Sequence, residues 1–102
     1  MAVDHAKVRR EHMRWMLILT LNNARPIGCY DEVALATVQG VYTDTTQMEV
    51  RRELDYLAER ELVELEKQPD GRWFARLNRH GVDVAEYTVS CEPGIARPAK
   101  YW

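Results

Sequence analysis

Apolar positions near the start of the chain recur with a helical period. Met13, Met16, Leu17, Thr20 and Leu21 stand at i, i+3, i+4, i+7 and i+8, which predicts a helix over 4–22. Trp15, Ile18 and Leu19 widen the apolar surface beyond one stripe, so this helix is either well buried or meets a second surface. The run Asn22–Gly28 ends it, because Pro26 cannot continue the ladder and Asn and Gly favour turns. Asp31 and Glu32 open a short second helix, where carboxylates suit the positive end of the dipole. Ala34, Leu35 and Val38 form its inner face and Gly40 is its expected stop. Thr46-Gln47-Met48-Glu49 fits a capping box, with Thr46 accepting from the Glu49 amide and Glu49 bonding back. Val50, Leu54, Leu57 and Ala58 then predict a third helix to about Arg60.

After Arg60 the period changes to two. Val63, Leu65 and Lys67 alternate with Glu64 and Glu66, as in a half-buried strand. Gln68-Pro69-Asp70-Gly71-Arg72 is turn chemistry, and Trp73, Ala75 and Leu77 alternate with Phe74 and Arg76 on the way back. Asn78 caps a short fourth helix expected to reach about Tyr87, which Gly81 weakens by roughly 1 kcal/mol. Residues 92–102 form a Pro-interrupted, extended tail after a domain of residues 1–91. Short helices cannot bury their stripes alone, so three pack together and the hairpin covers one edge. The expected fold is mainly α with a β-hairpin wing (α+β): a winged helix-turn-helix, in which Cys29-Tyr30 can supply a third strand.

Composition and charge refine this picture. The 102 residues suit one domain with one core, and the composition is not that of a disordered chain, a collagen or a disulfide miniprotein. No apolar run approaches the roughly 18 residues of a membrane span, and MAVDHAKVRR lacks the apolar stretch of a signal peptide. A cytoplasmic protein is therefore expected, with Cys29 and Cys91 as reduced thiols. Residues 1–30 carry +3, residues 31–66 carry −7 and residues 67–102 carry +2. An acidic middle thus lies between two mildly basic flanks.

The run Leu54-Asp55-Tyr56-Leu57-Ala58-Glu59-Arg60-Glu61-Leu62-Val63, then the Pro69-Asp70-Gly71 hairpin, then Leu77-Asn78-Arg79-His80-Gly81, is similar to the corresponding run of bacterial winged-helix regulators. Over residues 8–98 the chain also resembles small winged-helix proteins of Mu-like phages and prophages, whose "G-V-x-R-P" tail is matched by Gly94-Ile95-Ala96-Arg97-Pro98. The resemblance implies a winged-helix protein of a bacterial host cell that serves as a DNA-binding regulator or accessory factor. Glu61 stands where that pattern usually has glycine. A left-handed turn there costs a glutamate about 1 kcal/mol, which favours a third helix that runs on.

In such a fold the third helix enters the major groove and the wing touches phosphate or minor groove. With Val50, Leu54 and Leu57 inward, Thr45, Met48, Glu49, Arg52, Asp55, Tyr56 and Glu59 face outward, with Gln47 and Arg51 toward the flank. Arg52 is the candidate for guanine, and Thr45 and Tyr56 for phosphate. Against this, Glu49, Asp55 and Glu59 would face phosphates, and the two arginines can equally pair with neighbouring acids on a solvated helix. Lys67, Arg72, Arg76 and Arg79 surround the hairpin, either as phosphate contacts or as charges protecting an edge strand. Arg9, Arg10 and Arg14 form a second basic patch on the first helix, which reads more readily as a solvated face.

Trp15 is expected in the core or at a dimer interface, and with Tyr101 and Trp102 it is a candidate oligomer contact in a homodimer. One of Trp73 and Phe74 is expected to bury its ring against the bundle. Partners are then double-stranded DNA and a second copy. The alternative is an interaction module that keeps the fold, reads no groove and binds a phage or host protein as an accessory or assembly factor. No phosphate loop, HExxH or placeable nucleophile–base pair occurs, so no enzyme and no cofactor are expected. His5 and His12, seven apart, are too few for a metal site.

Overall fold

A computed structural model describes residues 2–102. Helix α1 spans His5–Asn23, and the Asp4 side chain caps it by accepting from the Lys7 amide at 3.1 Å. Strand β1 (Cys29–Tyr30) leads directly into α2 (Asp31–Gln39). Then come α3 (Gln47–Glu59), β2 (Val63–Lys67), β3 (Trp73–Leu77) and α4 (Arg79–Ala85). The three strands form an antiparallel sheet in the order β1-β3-β2. Val63 pairs with Leu77 and Leu65 with Ala75, which puts these apolar side chains on the face toward the helices.

The core follows the periodicities. Met13, Leu17, Ile18 and Leu21 of α1 are fully buried with Val38 of α2 and Val50, Leu54 and Leu57 of α3. Each such side chain contributes about 1.5–3 kcal/mol by leaving water. Trp15 is buried too, with its ring edge-on to Tyr87 at 6.0 Å, so this side of α1 meets the chain's own C-terminal half. Of the two roles expected of it, core or dimer interface, Trp15 therefore takes the core, and its buried ring is not placed for an oligomer contact. Leu19 lies partly in solvent instead of extending the core.

Two helix ends depart from expectation. Thr46 accepts from the Glu49 amide at 3.2 Å, but the Glu49 carboxylate, expected to bond back, is held by Arg9 of α1 at 2.9 Å. A charge-assisted pair with a guanidinium outcompetes one backbone amide. At the other end of α3 the helix does not run on: Glu61 takes φ of +60°. The Glu61 amide bonds to Ala58 O at 3.0 Å and the Leu62 amide to Leu57 O at 3.0 Å, the paired bonds of a Schellman motif. Buried Leu62 and Leu57 supply its apolar contact, and Asn78 Nδ2 donates to Glu61 O. These contacts outweigh the strain of a left-handed glutamate. Glu61→Gly is accordingly expected to raise stability by about 0.5–1 kcal/mol, or a few degrees in Tm, whereas Glu61→Ala should gain nothing. A melting curve shifted downward in the glycine variant would refute the strained turn.

Helix α4 stops at Ala85, short of Tyr87, because Tyr87 is itself left-handed at +64° and closes a second Schellman pair through Thr88. The extended tail then folds back over the helices. Ile95 packs against the core, and the Ala96 amide donates to Glu11 O at 3.1 Å. Arg97 donates to Val84 O and Val89 O at 3.0 and 2.9 Å.

Candidate nucleic-acid interface

Helix α3 and the β2–β3 hairpin flank a cleft of about 640 Å³, lined by Gln47, Met48, Arg51, Arg52, Asp55 and Trp73. Its geometry is held from below by Asp31. This first residue of α2 caps nothing: its side chain is wholly buried and points at α3 and the wing. One carboxylate oxygen accepts from Arg51 Nε at 2.7 Å and Gln47 Nε2 at 3.1 Å; the other accepts from the Trp73 amide at 3.2 Å. Arg51 Nη2 then donates to Gly71 O in the wing turn at 2.6 Å. Burial pushes the Asp31 carboxyl up, but the bonds from Arg51, the Trp73 amide and Gln47 together outweigh it and hold it below the usual carboxylate range. Helix and wing therefore share one buried anchor, which fixes the cleft's width.

The expected contact residues divide into three groups. Arg52 is exposed on α3 and, among the described residues, has no hydrogen-bond or ion-pair partner. Gln47 and Arg51 line the cleft but spend donors on Asp31. Lys67, Arg72 and Arg76 are exposed but paired, with Asp55 at 3.2 Å, Glu32 at 2.8 Å and Glu64 at 3.0 Å. Such exposed pairs are worth only about 0–1 kcal/mol each, so an incoming phosphate can take the cation.

Thr45 and Tyr56 do not face outward. Thr45 is buried in the α2–α3 connection, where its hydroxyl donates to Tyr42 O at 2.7 Å and accepts from Arg9. The turn before α3 points that side chain back toward α1, which helical extrapolation from the third helix does not capture. Tyr56 lies under the tail, with the Arg14 guanidinium 3.5 Å from its ring centre and Gly94 against its hydroxyl. Neither residue is in place for the phosphate contact expected of it.

Pattern reading also missed contributors. Met48 is 76% exposed at the cleft mouth, a large apolar group on an otherwise charged face. Trp73 carries Lys67 Nζ at 4.3 Å and the Arg51 guanidinium at 5.0 Å from its ring centre. Of the three candidate oligomer aromatics, Tyr101 and Trp102 are exposed and Trp15 is not, and Trp102 stands edge-on to Tyr87 at 4.9 Å. Phe74 packs on Tyr30 at 5.1 Å, while Trp73 packs partly against the core.

Cys29 and Cys91 are unpaired thiols, and burial raises the pKa of each. Among the described residues no three His, Cys, Asp or Glu side chains are grouped to hold a metal. No described helix is long and apolar enough to cross a membrane.

Three helices, a helix-turn-helix formed by α2 and α3, and a wing closed by a third strand define a winged-helix protein. A solved structure with the same fold is that of a candidate DNA-binding protein from Ralstonia eutropha JMP134, at a TM-score of 0.64 and 20% sequence identity. The match covers 76% of this chain and 95% of that one. No family model matches the chain, and no curated protein does.

Proposed function

We propose that this chain binds double-stranded DNA, with α3 in the major groove and the wing on the flanking backbone. The observation that carries the reading is the α3–wing cleft, held at a set width by Asp31 and bearing on its ridge an exposed Arg52 that has no partner among the described residues. The description of the Ralstonia protein as a candidate DNA-binding protein supports it. Arg52 is the base-reading residue, with Gln47 and Arg51 near the helix start and Lys67, Arg72 and Arg76 on the backbone. A role as a phage- or prophage-type regulator or accessory factor in a bacterial cytoplasm rests on the sequence resemblance over residues 8–98. In a homodimer, Tyr101 and Trp102 are the residues left to meet a second copy.

Acids on α3 and the prior pairing of the wing cations predict few displaced counterions. Non-specific affinity should be weak and its salt dependence shallow. Fluorescence anisotropy with a random duplex pool, then with a sequence selected from it, tests this at about 50 and 200 mM salt. Arg52→Ala is expected to weaken binding to the selected duplex by 10- to 100-fold, about 1–3 kcal/mol. Binding that ignores Arg52, Arg72 and Arg76, or no binding even at low salt, removes the reading.

A second reading is favoured by the exposure of Met48 beside Trp73: the same cleft takes a protein partner and reads no DNA. Under that reading Met48→Ala weakens partner capture and no duplex shifts the anisotropy.

A further inference from the structure

Arg9, Arg10 and Arg14 form one basic patch in sequence, and the fold gives them different fates. Arg9 is spent on α3 and the connection before it, reaching Glu49 through Nε and Nη2 at 2.9 Å and Asp44 at 2.8 Å. Arg14 is spent on buried Glu53 at 2.8 Å and on Gly94 O at 2.8 Å. Arg10 has no hydrogen-bond or ion-pair partner among the described residues, and neither has Arg52 on α3. Both line one hollow of about 170 Å³ between α1 and α3, with Ala6, Arg9, Glu49 and Glu53. The two carboxylates there are already paired, Glu49 with Arg9 and Glu53 with Arg14. What the hollow offers a ligand is therefore two uncommitted guanidiniums beside the small side chain of Ala6. Arginine forks match the paired oxygens of a phosphate.

Arg52 also lines the α3–wing cleft, so the hollow continues the surface proposed to meet DNA on the side away from the wing. We infer that Arg10 holds one backbone phosphate of the duplex beside the base contact made by Arg52, which extends the footprint from α3 onto α1. This rests on the proposed DNA binding and adds a residue that the helix-and-wing reading leaves out.

The test titrates the full chain with the random duplex pool and the selected duplex across a salt series. Arg10→Ala is expected to weaken both by the same factor and to reduce the slope of log K against log salt by about 1, leaving sequence preference unchanged. Arg10→Lys, which keeps the charge, should retain most of the slope. Arg25→Ala, beyond the opposite end of α1, should leave it at the wild-type value. Thermal unfolding of each variant verifies that the fold is intact. A wild-type slope in Arg10→Ala overturns the inference while wild-type binding keeps the DNA reading. Loss confined to the selected duplex also overturns it, because a phosphate contact carries no sequence. If the wild-type chain binds no duplex, the DNA reading fails and the inference falls with it.

Discussion

Asp31→Ala is expected to remove about 3 kcal/mol of stability, lowering Tm by more than 10 °C. The carboxylate is wholly buried and serves Arg51, Gln47 and the Trp73 amide at once. Its loss leaves a backbone amide unsatisfied and a guanidinium without its counter-charge. Arg51 is a quarter exposed, so water recovers part of that penalty, which holds the figure at the low end for a broken buried pair. Since Arg51 also bonds to Gly71 O, the wing loses its tie to α3, and hydrogen exchange at the Trp73 amide should accelerate in step. Denaturant melts and amide exchange check both effects. A variant within about 0.5 kcal/mol of wild type would show the anchor to be dispensable.

The same carboxylate makes stability depend on acid. Its folded pKa is depressed, so the unfolded chain binds the proton more readily. The contribution is complete above the ordinary aspartate value near 3.9 and is lost as pH falls through the lower folded value. Asp31→Ala should therefore flatten the acid limb of the stability–pH curve as well as lowering its plateau.

Gly81→Ala is expected to cost about 3 kcal/mol, although alanine is the better helix former by roughly 1 kcal/mol. A Cβ built at Gly81 would lie 2.1 Å from Leu62 O and 2.9 Å from Leu77 Cδ2. The Leu62 carbonyl cannot retreat freely, because it accepts from the Asn78 amide at 3.1 Å in joining α4 to the start of the wing. Gly71→Ala is the informative comparison: nothing stands within 4 Å there, and only the left-handed φ of +90° opposes a side chain, worth about 1 kcal/mol. Urea melts that rank Gly71→Ala as the more damaging would contradict the close approach of α4 to Leu62.

The elements were legible because each is coded by neighbours in the chain. The helix expected over 4–22 spans His5–Asn23, Thr46 and Asn78 cap α3 and α4, and the alternation from Val63 to Leu77 pairs as a hairpin. Where a long-range contact competed, local reading failed. Glu49 left the capping box for Arg9, Thr45 turned toward α1 and Tyr56 went under the tail. Gly81 looked like a weak point in a helix and is a point of close packing.

By itself, the sequence determined which segments are helix or strand and which faces are apolar, since 3.6- and two-residue periods and capping side chains act over a few residues. Tertiary structure decided which charges are spent and which are left free. Arg9, Arg14, Arg51 and Arg72 find acids about 20 to 40 residues away, while Arg10 and Arg52 find none among the described residues. A charge's partner depends on which helices the core brings side by side, and no local period encodes that distance.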